Sequence, residues 1–148
     1  MIPLESFIIE SNQIEGEKTL IEYELPVYEW FLANDLNEDN LREFHKRLCD
    51  SRNQLPTKDR GVYRKCPVYV GGKEMPNAGS LRRMMIQFFG GIEVRDPYEC
   101  HKLFESIHPF VDLNGRVGRA MWLHQMLKKK DVRLGFLQTW YYQSLDHG

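Results

Sequence analysis

Cysteine is scarce. Cys49, Cys66 and Cys100 are the three in the chain, an odd number with no metal-binding spacing. That excludes a disulfide scaffold and a cysteine-based zinc site, and fits free thiols in a reducing compartment. No apolar run is long enough for a membrane-spanning helix, and no leader-like segment opens the chain, so a cytoplasmic location is expected. An excess of charge of one sign is also lacking. Twenty Lys and Arg against 21 Asp and Glu leave a net charge of -1, which gives no bulk attraction to nucleic acid or to a membrane surface. The longest basic run, Lys128-Lys129-Lys130, suits a water-facing helix end. Repeats and low-complexity tracts are absent. What remains is 148 residues, 42% hydrophobic and 28% charged, the composition of one soluble globular domain with a core of its own.

Chemistry-bearing residues concentrate in one stretch, His108-Pro109-Phe110-Val111-Asp112-Leu113-Asn114-Gly115-Arg116-Val117-Gly118-Arg119. Pro109, Asn114 and Gly115 read as a turn. From Arg116 the chain reads as a helix, its apolar residues at mixed 3- and 4-residue steps. A loop that enters a helix N-terminus presents unpaired N–H groups and the positive dipole end, and so favours anions. Arg116 and Arg119 share a face there, and two guanidinium forks suit a chain of phosphates. Asp112 is a hard carboxylate of the kind that holds Mg²⁺ beside phosphates. His108 can take a proton near neutral pH. Each residue alone has an ordinary explanation: a His before Pro in a turn, an Asp capping a helix, Arg side chains facing solvent. Their ordered coincidence points to phosphoryl or nucleotidyl transfer.

The stretch resembles the signature of Fic-domain proteins, H-x-F-x-(D/E)-G-N-G-R-x-x-R. His108, Phe110, Asp112, Asn114, Gly115, Arg116 and Arg119 match it. Leu113 stands where the family has its first Gly, the residue that reaches positive φ and permits close backbone approach. Doc-type relatives carry Ala at that position and phosphorylate their targets.

Taken in order, the chain begins with a helix ending near Gly16, with Leu4, Phe7, Ile8 and Ile14 as its apolar face. Ser11-Asn12-Gln13-Ile14-Glu15-Gly16 resembles the Fic inhibitory motif of the class II type: Ser or Thr, three residues, Glu, then Gly or Asn. The resemblance implies that Glu15 pairs with Arg119 and blocks productive nucleotide binding, Ser11 being the other residue of the inhibitory motif. A second helix is expected from about Pro26 to Ala33, and a third from Leu36 to Cys49. Asn37 caps the third, with Leu41, Phe44 and Leu48 inward and His45 exposed. Residues 51–79 are rich in Pro, Gly and turn formers. Val62-Tyr63-Arg64 and Val68-Tyr69-Val70 are β-prone runs within them, the second demoted to an edge by Pro67. An exposed edge accepts an extended peptide by strand addition, and relatives place a target-docking hairpin flap here. Leu81–Phe89 reads as a helix ended by Gly90-Gly91, and Asp96-Pro97 opens another that carries His101 as a packed or surface residue. Trp140, Tyr141 and Tyr142 fall in an expected last helix.

The pattern gives an all-α, Fic-type helical domain with a short β-hairpin flap. Residues 1–148 form one domain, comprising an inhibitory helix (1–17), a flap (60–72) and the signature (108–119). The resemblance implies a protein adenylyltransferase that uses ATP and Mg²⁺ and is autoinhibited by Glu15. His108 would activate a target hydroxyl, and Asp112 would hold Mg²⁺. Leu113, Asn114, Gly115 and Arg116 would cradle phosphates, Arg119 would take the γ-phosphate, and Val62, Tyr63, Arg64, Val68, Tyr69 and Val70 would dock the target. A target protein is the implied partner, a homodimer is a further option, and neither nucleic acid nor membrane is expected. Leu113 keeps two alternatives open, a Doc-like kinase or other phosphate-moiety transferase and an inactive Fic module that only binds; the resemblance itself adds a third, a de-AMPylase, since some relatives remove AMP.

Overall fold

The computed structural model describes residues 3–129. Among them are six α-helices and one short hairpin: α1 (Pro3–Ile14), α2 (Ile21–Ala33), α3 (Glu38–Arg52), β1 (Tyr69–Val70), β2 (Lys73–Glu74), α4 (Leu81–Gly90), α5 (Pro97–Ile107) and α6 (Asn114–Lys129). The domain is helical, as expected. The proposed final helix around Trp140 lies outside the described residues.

α6 is the axis of the fold. Every residue from Arg116 to Met126 is buried, as in a helix enclosed on all sides. α1, α2, α3 and α5 pack around it. Phe31 stacks on Phe44 at 4.3 Å and Tyr28 meets Phe44 edge-on at 5.2 Å, filling the space between α2 and α3. Gly118 lets α5 lie close against α6, since a Cβ there would come within 3.1 Å of the Phe104 ring.

Local chemistry explains the helix ends. Asn37 accepts from the Asn40 N–H at 2.8 Å and caps α3. Asp96 caps α5 through the Tyr98 N–H at 2.9 Å, with Pro97 in the first turn. α2 starts at Ile21, ahead of the expected Pro26. The buried Glu24 carboxylate accepts from the Leu20 N–H at 2.6 Å and secures the first turn, which leaves Pro26 inside the helix. Asn114 and Gly115, read as turn residues, are the first two residues of α6.

Three expectations are corrected. Ile14 is exposed, because the inward stripe of α1 runs through Leu4, Phe7, Ile8, Ser11 and Asn12. Continued one step at helical spacing, that stripe carries Glu15 toward α6. His45 is fully buried; with Leu41, Phe44 and Leu48 it completes an i, i+3, i+4, i+7 stripe. The hairpin pairs Tyr69 with Glu74 and Val70 with Lys73, so the β-prone run Val62-Tyr63-Arg64 is neither of its strands. That segment is held against the signature loop instead: the Arg64 N–H donates to the Pro109 carbonyl at 2.8 Å.

Candidate active site

The site grows from the turn between α5 and α6. α5 ends on His108 in the left-handed region, φ +52°. The chain then buries Phe110 completely. Asn114 reaches back from the start of α6 and closes the loop: its Oδ1 accepts from the Phe110 N–H at 2.9 Å, and its Nδ2 donates to the Phe110 carbonyl at 2.8 Å. The Asn114 amide, offered by the sequence to phosphate, is thus engaged within the loop. Leu113 adopts φ +71° despite its side chain, which is buried. The left-handed turn that a Gly would give without strain is therefore made, at a cost of ~1–2 kcal/mol, and burial of the leucine offsets that cost. Leu113→Gly should relieve the strain but remove the buried side chain, worth ~2–5 kcal/mol for truncation to Ala. The net expectation is a loss of about 1–3 kcal/mol, read by urea unfolding.

Arg116 and Arg119 are both buried, so neither is the solvent-facing arginine of the ordinary reading. Each is held by the end of α1. Arg119 Nε donates to Ser11 Oγ at 2.8 Å, and Nη2 donates to the Ser11 carbonyl at 3.0 Å and to Glu15 Oε1 at 2.7 Å. Arg116 Nη1 donates to Asn12 Oδ1 at 3.1 Å. Its buried Nε has no hydrogen-bond partner among the described residues, a donor left open for an anion. Gly115 supplies room as well: a Cβ there would lie 2.7 Å from Glu15 Oε1 and 3.1 Å from Arg119 Nη1. Glu15 thus sits over the first turn of α6, where an anion is favoured.

A buried network backs this arrangement. Asn12 Nδ2 donates to Glu24 Oε1 at 3.0 Å, and Arg52 Nη1 donates to Glu24 Oε2 at 3.0 Å. Asn12, Glu24 and Arg52 were not singled out by sequence. The one signal for Asn12 was its place inside the Ser11–Glu15 motif; Glu24, ahead of the expected helix start at Pro26, carried none.

Asp112 is exposed on the loop. Its Oδ1 accepts from the Leu113 N–H and its Oδ2 from Gln54 Nε2, both at 2.8 Å. Among the described residues no cluster of three or more metal-ligating side chains exists. One exposed carboxylate beside an anion-favouring helix end nevertheless fits Mg²⁺, which is commonly held by one or two carboxylates together with substrate phosphates and water.

His108 is half-buried, and its pKa lies below the ordinary 6.5 because of burial and then the nearby Arg64 guanidinium. The imidazole is therefore neutral near pH 7, the form a base requires. Arg64 belongs to the expected flap but acts as a clamp. Its Nε donates to the His108 carbonyl at 2.6 Å, and Nη2 donates to the carbonyls of Pro76 at 2.7 Å and Ile107 at 3.2 Å. Tyr63 lies against Phe110 at 5.6 Å and donates to Glu38 at 2.6 Å, while Val62 is half-buried beside it. Val68 is half-buried, whereas Tyr69 and Val70 are exposed on the hairpin. A cleft of about 580 Å³ adjoins the hairpin, lined by Lys73, Met75, Pro76, Asn77 and Met84 among others.

Two buried titratable groups flank Arg119. Burial pulls His101 down to about 4. Glu105 Oε1 is shielded from solvent and has no hydrogen-bond partner among the described residues. Burial pushes its carboxyl up to about 7, with Arg119 opposing and Glu15 adding to the rise. An unfolded Glu105 would release its proton near 4.5 while the folded one keeps it to about 7. Across that window the unfolded chain binds fewer protons, so stability falls as pH rises. Glu105→Gln is expected to remove this fall and to raise stability above pH 7 by roughly 1–3 kcal/mol, measured by urea unfolding across the window.

A helical domain whose central helix begins at a histidine- and arginine-bearing loop, with a hairpin beside it, defines the class. Residues 35–126 match the Fic/DOC family, and the chain belongs to it. The fold is shared by a Fic family protein from Desulfovibrio desulfuricans G20, with a TM-score of 0.68 at 22% identity over 88% of this chain and 50% of that one. A Culex quinquefasciatus protein named protein adenylyltransferase Fic is 30% identical over 91 residues, which is 55% of this chain and 18% of that protein. The chain thus spans half or less of the length of either relative. Among the described residues no helix is long and apolar enough to cross a membrane.

Proposed function

We propose that the protein is a Fic-type protein adenylyltransferase that moves AMP from ATP to a hydroxyl side chain of a target protein, and that Glu15 restrains it. The observation that carries the reading is the buried Arg116–Arg119 pair beside Gly115 at the start of α6. Arg116 leaves Nε open, and His108 belongs to the same loop. His108 accepts the hydroxyl proton as the target oxygen bonds to the α-phosphorus and pyrophosphate leaves. Arg116 and the Gly115 amide bind the phosphates, and Arg119 takes the terminal one once Glu15 has moved. Asp112 is the residue that would hold Mg²⁺, whose role when bound is to neutralise phosphate charge. Tyr69 and Val70 offer an exposed strand edge for the target segment. The arrangement of Ser11 and Glu15 on Arg119 supports a class II type of inhibition. A target protein is the partner; a homodimer is compatible with the same chemistry.

The test is ATP labelled at either the α- or the γ-phosphate, incubated with Mg²⁺, the Glu15→Gly protein and a protein mixture. Protein-bound α-label without γ-label is expected. Transfer of γ-label alone would replace this reading with the Doc-like kinase that Leu113 brings to mind.

A further inference from the structure

His45 lies outside every residue assigned to the chemistry, yet it joins the three parts of the site. It projects from α3 and is fully buried. Its ring stacks on Phe110 with centroids 3.9 Å apart and planes 7° from parallel. Tyr63 packs on Phe110 as well, at 5.6 Å. The hydrogen bonds fix the tautomer. The Gly61 N–H donates to Nδ1 at 2.8 Å, so Nδ1 carries no proton. Nε2 must then carry it, and donates to the backbone carbonyl of Asp112 at 3.0 Å.

Gly61 is seated for this bond. Its carbonyl accepts from Arg42 Nε at 2.9 Å, its φ is +74°, and a Cβ there would lie 2.9 Å from the Arg42 carbonyl oxygen. The residue is therefore pinned to α3 on both sides of its peptide. From Gly61 the chain runs through Tyr63 and Arg64, which hold the signature loop, toward the hairpin. One imidazole thus links the root of the hairpin segment, the Phe110 anchor and the backbone of the residue that would hold Mg²⁺. Gln54 meets the Asp112 side chain at 2.8 Å, so the carboxylate is fixed from outside while His45 fixes its backbone from inside.

We propose that His45 is the positioning residue of the Asp112 loop: it acts through its hydrogen bond to the Asp112 carbonyl and touches neither substrate nor metal itself. This rests on the transferase reading for the identity of the ligand. A buried hydroxyl or amine elsewhere in the core would not combine a single enforced tautomer with a contact to the metal-bearing loop; removal of such outer partners typically costs about 10–100-fold in metal affinity or activity.

Three variants in the Glu15→Gly background separate the two arms. His45→Gln keeps a donor near the Nε2 position, His45→Asn keeps an acceptor near Nδ1, and His45→Leu keeps neither. All three lose the ring stack and are expected to lower the unfolding midpoint. The readout is the Mg²⁺ concentration for half-maximal ATP binding, by calorimetry. It should rise roughly 10–100-fold in His45→Leu and His45→Asn and less than about 3-fold in His45→Gln. Equal shifts in all three, or no shift in any, would overturn the assignment. A second measurement needs no variant. The His45 ring N–H in the folded wild-type chain, followed by nitrogen-edited NMR, should be on Nε2 and protected from solvent exchange. A proton on Nδ1, or exchange as fast as that of an exposed imidazole, would equally overturn it. A Glu15→Gly parent that binds no ATP at any Mg²⁺ concentration would count against the transferase reading, and the ring N–H then decides for or against His45.

Discussion

Replacing His108 is expected to lower AMP transfer by about 10²–10⁴-fold, the usual cost of losing a general base. The choice of variant matters because His108 occupies the left-handed region at φ +52°. Alanine there adds backbone strain to the loss of the imidazole. Asparagine tolerates that conformation and has no basic nitrogen. His108→Asn therefore isolates the chemistry, and His108→Ala should lose the same rate plus some stability. Neither change touches Arg116 or Arg119, so ATP affinity measured by calorimetry should stay within a few-fold. The acid limb of the wild-type rate gives an independent check. Burial and Arg64 keep the His108 pKa below 6.5, so the base is free at neutral pH and is lost as pH falls through that lowered value. The limb should lie below pH 6.5 and vanish from the residual rate of the variant. Transfer that persists unchanged in His108→Asn would remove His108 from the base's role.

The sequence made some parts of this structure plain. Asn37 and Asp96-Pro97 announce helix starts through local chemistry that needs no tertiary partner, and both act where expected. The signature is legible for a related reason: a loop that meets a helix N-terminus is a local object, and its residues lie within a dozen positions. What eluded the sequence is non-local. Arg64 reads as a strand residue until Pro109, His108 and Pro76 are seen to offer it carbonyls. Glu24 draws no notice in the sequence, because its burial depends on Asn12 and Arg52 converging on it. His45 is the instructive case: Leu41, Phe44 and Leu48 read as the whole inward stripe and His45 as lying off it, whereas the i+4 position belongs to the buried face of α3. Leu113 taught the opposite lesson: residue type suggested an altered loop, but burial of the side chain holds the left-handed turn.

Glu15→Gly is expected to raise Mg²⁺-dependent α-label transfer, on the order of 5–150-fold, the range typical of coupling between two sites. The carboxylate lies just beyond the C-terminus of α1, where the helix dipole opposes it, and Arg119 at 2.7 Å supplies the compensating charge. Glu15 therefore holds the position that favours an anion at the start of α6, and a terminal phosphate would meet a like charge there. The Glu15 side chain is 36% exposed whereas that of Arg119 is 6% exposed, so Glu15 can leave without opening the core. Removing Glu15 does not undock α1, because Ser11 still accepts from Arg119 and Asn12 from Arg116, and Leu4, Phe7 and Ile8 remain buried. The unfolding midpoint should consequently change little while ATP affinity rises. Glu15→Gln keeps the shape and removes the charge, so its activation should fall between wild type and Glu15→Gly if charge and bulk both exclude the phosphate. Equal activation in Gln and Gly would assign the whole effect to charge. A Glu15→Gly protein that binds ATP no better than wild type, and transfers no more, would show that the Glu15–Arg119 contact joins α1 to α6 without restraining the site.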